Sequence, residues 1–150
     1  MKRIALILGT RPEAIKMVPV YRALRASANF DPFIIATGQH RELVRPTLAD
    51  CGIRPEHEMN LMQKGQTLNG FGAELLRCLP RIFQAENPDL VLVQGDTASA
   101  LFGAQTAFGE GIRVGHIEAG LRTGNLASPF PEEGFRAMIS QICAIHFAPT

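Results

Sequence analysis

The sequence has few cysteines and no long hydrophobic run. Its three cysteines, Cys51, Cys78 and Cys143, are far apart and form no C-x-x-C pair, which favours reduced thiols and a cytoplasmic location. The amino terminus offers only the five apolar residues 4–8 before Gly9, whereas an export signal needs about 7–15. No apolar run approaches the roughly 18 residues of a membrane span. The sequence therefore predicts a cytoplasmic protein without a membrane segment.

Neither sign of charge dominates the composition. Lys and Arg number 15 and Asp and Glu number 14, giving a formal net charge of +1. Such a balance argues against a nucleic-acid-binding protein and against a polybasic membrane-surface protein. The length of 150 residues fits one domain, and 46% hydrophobic with 19% charged residues is typical of a globular chain.

Several motifs of common enzyme classes are also missing. No predicted strand is followed by G-x-G-x-x-G, and the sequence contains neither G-x-x-x-x-G-K-[ST] nor G-x-S-x-G. The four histidines lack the spacing of metal ligands. These absences weigh against a dehydrogenase, a P-loop NTPase, an α/β-hydrolase and a zinc enzyme.

What the sequence does contain is a regular alternation of predicted strands and helices. Strands are predicted at residues 4–8, 33–37, 57–60, 90–93, 113–117 and 145–148, of which 4–8 and 90–93 are continuous apolar runs. Helices are predicted from a Thr10–Glu13 capping box to about 25, at 42–50, from Thr67 to Asn87, from an Asp96 cap to about 108, and from Pro131 onward. Pro19 lies inside the first helix and predicts a kink there.

Strands separated by helices imply parallel crossover units with helices on both faces. The predicted fold class is therefore α/β, with a doubly wound parallel sheet. Thr150 follows the last predicted strand and is a natural helix N-cap. We therefore expect the chain to be an incomplete part of a longer protein.

Polar residues gather where the predicted strands end. Because ligands of open parallel sheets bind beyond the carboxyl ends of the strands, we expect a shared rim formed by Arg11, His40, Asp96, His116, Glu118 and Arg122. Free N–H groups at the helix starts after Thr10 and Asp96, with charge from Arg11 and Lys16, suit a phosphorylated ligand. Asp96 and Glu118, together with Glu132, supply groups for acid–base chemistry.

Structural explanations compete with each of these roles. Asp96 also fits a plain N-cap, Glu13 a capping box, and Glu132 with Glu133 a complement to the helix dipole. Arg11 and Lys16 also fit solvated helix positions, and His40 and His116 fit either reading. His57 and His146 are expected to be structural. Glu118 is the hardest to explain structurally, because a carboxylate that follows an apolar strand should be partly buried.

Six segments together resemble one known family over the whole chain. They are GTRPEAIKMVPV at 9–20, TGQHREL at 37–43, VQGDT at 93–97, HIEAGLRTGN at 116–125, PFPEEGFR at 129–136 and HFAPT at 146–150. In this order they closely resemble the amino-terminal domain of the non-hydrolysing UDP-N-acetylglucosamine 2-epimerases. GTRPE favours the non-hydrolysing branch, because hydrolysing relatives typically lack the Pro-Glu after GTR.

The resemblance implies a fold and a reaction. It implies one Rossmann-like half of a two-domain GT-B architecture, with a second, UDP-binding domain absent from this chain and the active site between the two. The implied reaction interconverts UDP-N-acetylglucosamine and UDP-N-acetylmannosamine by elimination and re-addition of UDP, without metal or nicotinamide. A homodimer is implied for the full-length protein. This chain alone is expected to be inactive. The alternatives are a GT-B glycosyltransferase and a non-catalytic nucleotide-sugar binding module.

The resemblance also implies roles for particular residues. Arg11 and Lys16 belong to substrate and phosphate binding, and Asp96, Glu118 and Glu132 form the catalytic carboxylate set. Asp96 and Glu118 are expected to contact substrate as well. The loop with Gln39, His40 and Glu42 matches a possible regulatory site, in which Gly65 replaces an arginine of some members. Phe135 and Phe130 depart from the usual asparagine and tryptophan of the segment around Glu132.

Overall fold

A six-stranded parallel β-sheet organises the chain, and the computed structural model describes residues 1–149. The strands are β1 (Lys2–Leu8), β2 (Phe30–Ala36), β3 (His57–Glu58), β4 (Leu90–Gln94), β5 (Arg113–Ile117) and β6 (Ile145–Phe147). The helices are α1 (Arg11–Ala26), α2 (Arg41–Asp50), α3 (Leu68–Glu86), α4 (Ala98–Gly109) and α5 (Glu132–Ile142). The strand order is β3-β2-β1-β4-β5-β6, which confirms the predicted doubly wound α/β sheet.

The two faces of the sheet hold separate hydrophobic clusters. Successive side chains of a strand point to opposite faces, so Ala5 and Ile7 of β1 face α3, α4 and α5, whereas Leu6 and Leu8 face α1 and α2. Every one of these four side chains is fully buried. Burial on both faces explains why the strand is a continuous apolar run instead of an alternating one.

Helices α3 and α4 approach each other closely at one glycine. A Cβ atom at Gly72 would lie 2.3 Å from Cζ of Phe102, well inside van der Waals contact. The Phe102 ring lies over this glycine and meets the Phe135 ring of α5 edge-on, with 6.4 Å between the ring centroids. This contact connects the three helices that cover one face of the sheet.

The element boundaries differ from the predicted ones mainly where distant pairing decides them. Strand β2 begins at Phe30, not at residue 33, because Lys2 and Arg3 pair with Phe30 and Asp31 across the sheet. Strand β3 has only two residues. Helix α1 continues through Pro19 to Ala26.

Thr150, the predicted cap of a following helix, lies outside the described residues. Within residues 1–149, each helix is too short or too polar to cross a bilayer. All three cysteines are free thiols and partly buried.

The strand order reverses direction between β1 and β4. At such a switch point the loops after the two strands diverge to opposite faces and leave a crevice at the carboxyl edge. The topology therefore places the loops after β1 and β4 beside each other, with those after β2 and β5 on either side.

Candidate active site

A pocket of about 300 Å³ occupies this crevice. It is lined by residues from four strand-end loops and two helices: Thr10, Pro12, Glu13, Lys16, His40, Gln94, Gly95, Asp96, Thr97, Glu118 and Arg136. Asp96 and Glu118 therefore meet at one site with Lys16 and His40, as the sequence predicted for the strand ends.

Glu13, which lines the pocket, connects the loop after β1 with the loop after β4. Its Oε2 accepts hydrogen bonds from the backbone N–H groups of Gly9 (2.9 Å) and Thr10 (2.6 Å). Its Oε1 accepts a 2.7 Å hydrogen bond from the Thr97 hydroxyl. Burial raises the pKa of Glu13 above its ordinary value, and the hydrogen bonds from Thr97, Thr10 and Gly9 oppose that rise. Glu13 thus forms the reach-back half of the predicted capping box and also joins two loops.

Backbone N–H groups at the helix starts beside the pocket already donate hydrogen bonds to the protein's own side chains. Thr97, not Asp96, is the N-cap of α4, and its hydroxyl accepts a 3.0 Å hydrogen bond from Ala100 N–H. The Gln39 side chain accepts from Ser99 N–H at 3.1 Å. The prediction that Asp96 caps α4 is therefore wrong, because its carboxylate pairs with an arginine from α5 instead. The expected free N–H groups at these two starts are largely used within the protein.

Two carboxylates and two cations form an ion-pair network across the pocket. Glu118 Oε2 accepts hydrogen bonds from Lys16 Nζ and, at 2.5 Å, from Gln94 Nε2. Asp96 Oδ2 accepts a hydrogen bond from Arg136 Nη2, which also lies 3.9 Å from Glu118 Oε1. The Asp96 and Glu118 side chains keep 27% and 22% of their surface exposed, so a ligand in the pocket can reach both.

Glu118 has an unusual backbone conformation for a residue with a side chain. Its φ of 63° lies in the left-handed region, and among the described non-glycine residues it shares a positive φ only with Asn87. Left-handed backbone at a residue other than glycine costs roughly 1–3 kcal/mol and persists where surrounding contacts enforce it. The bend turns the side chain into the pocket directly after the buried strand β5.

Two predicted rim residues, Arg11 and Arg122, and the predicted catalytic residue Glu132 are not among those that line the pocket. Arg11 is the exposed first residue of α1, and Glu132 is the partly buried first residue of α5. Arg122 donates to the Leu121 carbonyl and the Ser140 hydroxyl, each at 2.7 Å. The expected convergence of all rim side chains is therefore only partly confirmed, because a position near a strand end does not determine the direction of a helical side chain.

His116 is a structural residue inside the fold and does not lie at the rim. Its side chain is fully buried, and Nε2 donates a 2.7 Å hydrogen bond to the Gly95 carbonyl. Burial lowers its pKa, which disfavours the protonated ring. His116 thereby supports the turn at Gly95 that presents Asp96. His40, in contrast, lines the pocket at the N-cap of α2.

The residues of the expected regulatory loop line a second groove of about 540 Å³. Gln39, His40 and Glu42 lie there with Asn60 and Met62 from the segment after β3. His40 is shared between this groove and the pocket, so the two sites adjoin.

Sequence reasoning missed Arg136 as a site residue. The buried face of α5 consists of Glu133, Arg136 and Ile139, which follow one another at intervals of three. Glu133 accepts hydrogen bonds from the N–H groups of Thr123 (3.0 Å) and Gly124 (3.1 Å), which lower its pKa. The signal for Arg136 was its place between two buried positions on one helix face. A guanidinium that is buried there requires acceptors, which indicates a polar site beside the helix.

Comparison with known proteins gives one consistent family. A family model described as UDP-N-acetylglucosamine 2-epimerase matches residues 22–150. The chain is 43% identical to the UDP-N-acetylglucosamine 2-epimerase of Escherichia coli (strain K12), over 99% of this chain and 39% of that relative.

Solved structures of relatives have the same fold. S. aureus MnaA in a structure with UDP superposes with a TM-score of 0.95 at 42% identity, over 100% of this chain and 39% of that one. The Neisseria meningitidis UDP-GlcNAc 2-epimerase bound to UDP-GlcNAc gives a TM-score of 0.94 at 41% identity, over 100% of this chain and 40% of that one. The chain thus spans about two fifths of the length of these relatives. Since the family model matches most of its residues, the chain belongs to the UDP-N-acetylglucosamine 2-epimerase family.

Proposed function

We propose that this chain is the sugar-facing domain of a non-hydrolysing UDP-N-acetylglucosamine 2-epimerase. The enzyme would interconvert UDP-N-acetylglucosamine and UDP-N-acetylmannosamine. The observation that carries this proposal is the meeting of the Asp96 and Glu118 carboxylates with Lys16 in one pocket. Support comes from relatives that are named for the activity, one of which was solved with UDP-GlcNAc bound.

The chemistry explains why carboxylates and cations are needed together. The C2 hydrogen of a sugar is barely acidic, so direct removal of the proton is too slow. When the C1–O bond breaks with its electron pair leaving on UDP, positive charge develops at C1 and carboxylates stabilise it, as in glycosidases. A carboxylate then takes the C2 proton, and the C2–H electron pair forms the double bond of 2-acetamidoglucal. UDP adds back to C1 while a proton is delivered to the opposite face of C2.

The proposed roles follow from position in the network. Glu118 and Asp96 carry the proton transfers and contact the sugar. Lys16 is half exposed and paired with Glu118, so it can turn toward the leaving diphosphate. Glu132 is four residues before Arg136 on α5, which places both on the same helix face and supports a third catalytic carboxylate at the rim. Arg11, exposed at the start of α1, is proposed to reach the phosphates.

A second domain would complete the site. Because the chain spans about two fifths of its relatives, we propose that the remaining part supplies a UDP-binding domain of a GT-B architecture. The helix starts described above leave few backbone donors for a diphosphate, which agrees with UDP being held mainly elsewhere. Calorimetry of the 150-residue chain should therefore detect only very weak UDP binding, and tight binding would contradict the two-domain proposal.

A chimera tests the activity directly. This chain is joined to the part of the Escherichia coli relative that follows the matched segment, and the product is incubated with UDP-N-acetylglucosamine in D₂O. Epimerisation should place deuterium at C2, as seen by NMR and mass spectrometry. Sugar transfer to an acceptor without C2 exchange would favour the glycosyltransferase. UDP-sugar binding without any turnover would favour the binding module.

The second groove supports a regulatory proposal. Gln39, His40 and Glu42 are proposed to bind a further molecule of UDP-N-acetylglucosamine next to the active pocket. The chimera should then show sigmoidal dependence on substrate, and Glu42→Ala should change that curve while leaving the maximal rate within about twofold. Hyperbolic kinetics in the unsubstituted chimera would remove this proposal.

A homodimer and a cytoplasmic location complete the proposal. Three large apolar side chains of the α5 region are strongly exposed, Leu126, Phe130 and Met138, and contact with a second copy would cover them. Sedimentation of the chimera should show a dimer that Phe130→Glu dissociates, and a dimer unaffected by this change would place the interface elsewhere. The free cysteines support the cytoplasm.

A further inference from the structure

Arg136 is buried to a degree that is unusual for a charged side chain. Only 8% of its side-chain surface is exposed, although α5 lies on the outside of the sheet. A guanidinium in such a position is retained only where acceptors satisfy its N–H groups. The groups that accept hydrogen bonds from the Arg136 guanidinium therefore identify the part of the structure that it stabilises.

The guanidinium connects the two strand-end loops that carry the pocket carboxylates. Nη2 donates to the Asp96 carboxylate after β4, and Nη1 donates to the main-chain carbonyl of Glu118 after β5. These partners lie 40 and 18 residues away in sequence. A planar guanidinium has a fixed fork of donors, so it sets the relative position of two acceptors in a way that a point charge does not.

The second acceptor belongs to the residue with left-handed backbone. Glu118 has a φ of 63°, and the carbonyl that Arg136 holds is its own. The following N–H, of Ala119, is fixed by a 3.1 Å hydrogen bond to the Phe147 carbonyl. Both hydrogen bonds hold the peptide group that follows Glu118, and Arg136 holds its carbonyl. The peptide group before Glu118 is held by a 2.9 Å hydrogen bond from the Gly95 N–H to the Ile117 carbonyl.

We propose that Arg136 is a positioning residue: it holds Glu118 in its left-handed conformation and Asp96 at a fixed distance from it, so that both carboxylates reach the same sugar. The activity part of this inference rests on the proposed function. The conformational part does not rest on it, because the φ of Glu118 is a property of this chain whatever reaction it serves.

The conformational part is tested on the 150-residue chain by NMR. The one-bond Cα–Hα coupling of Glu118 distinguishes positive from negative φ, and it is measured in the unsubstituted chain, in Arg136→Met and in Arg136→Lys. We expect the value typical of positive φ to be lost in Arg136→Met and to shift partly in Arg136→Lys, which can keep only one of the two partners. Arg77→Met, which removes an exposed arginine paired with Glu74 on α3, is the matched control and should leave the coupling unchanged.

The activity part is tested in the chimera by separating kcat from KM. Misplacement of a reacting group by about 1 Å costs roughly 100-fold in rate. Arg136→Met should therefore lower kcat by about 100-fold with KM within about threefold, and Arg136→Lys should lower kcat by about tenfold. Arg77→Met should match the unsubstituted chimera.

Several results overturn the inference. An unchanged Glu118 coupling in a folded Arg136→Met chain removes the positioning role, and if that variant does not fold, an unchanged coupling in Arg136→Lys does the same. A loss confined to KM makes Arg136 a substrate-binding residue instead. An inactive unsubstituted chimera refutes the proposed function but leaves the NMR result to decide the role of Arg136.

Discussion

The backbone strain at Glu118 gives a prediction whose size follows from the structure. Glu118→Ala and Glu118→Gly remove the same side chain with its contacts to Lys16 and Gln94, so those losses cancel between the two variants. Alanine keeps the left-handed cost of roughly 1–2 kcal/mol, whereas glycine removes that cost but adds roughly 0.5–1 kcal/mol of unfolded-chain entropy. Glu118→Gly should therefore be more stable than Glu118→Ala, by up to about 1.5 kcal/mol.

A matched pair at a normal position isolates the conformational cost. Arg122 lies in the same loop and is not among the described residues with positive φ. There the alanine variant should be more stable than the glycine variant by roughly 0.5–1 kcal/mol. The difference between the two sites is then the left-handed cost itself, about 1–2 kcal/mol. Urea unfolding of the four variants, followed by circular dichroism, measures it. An alanine variant at 118 at least as stable as the glycine variant would show that the backbone at this position carries no left-handed cost.

Three further outcomes are expected. Because burial raises the pKa of Glu13 above 4.5, ionisation of this carboxyl disfavours folding. The free energy of unfolding of the wild type should therefore fall relative to that of Glu13→Gln as the pH rises above 4.5. Urea unfolding that gives the same difference between the two proteins at pH 4.5 and at pH 7.5 would contradict this. Gly72→Ala should destabilise by about 1–3 kcal/mol through its clash with Phe102, whereas Gly134→Ala, with open space around it, should be neutral or stabilising in the same assay. Burial raises the pKa of Cys143 to about 11, so peptide mass spectrometry should find it unmodified by iodoacetamide at neutral pH; rapid labelling would show that it is accessible.

Local signals were sufficient for most of the fold. The apolar run at β4 was predicted to within one residue, because a strand buried on both faces differs from its flanking residues in hydrophobicity. Strand β5 was predicted with its observed bounds. Thr67 and Asn87 bound α3 as predicted, since capping uses side chains and backbone within one turn. The start of β2 was set by pairing with β1, more than 20 residues away in sequence, and no local pattern contains that information.

The candidate site was predictable where it depends on topology and not where it depends on long-range contacts. The carboxyl ends of parallel strands meet at one edge, so the meeting of Asp96 and Glu118 could be anticipated. Asp96 and Thr97 are both good N-caps, and the choice between them depends on Arg136, 40 residues later in the sequence. The directions of Arg11 and Glu132 depend on helix rotation, which strand-end position alone does not specify.

The most direct test of a catalytic role for Glu118 is the variant Glu118→Gln in the chimera, with C2 deuterium exchange and the UDP dissociation constant measured on the same preparation. Removal of a general acid–base group costs about 100- to 10,000-fold. We expect a loss of exchange in this range with the UDP dissociation constant within about threefold, while Glu74→Gln on α3 should leave both unchanged. Exchange that survives in Glu118→Gln, or that falls in parallel with UDP binding, would contradict a catalytic role for this carboxylate.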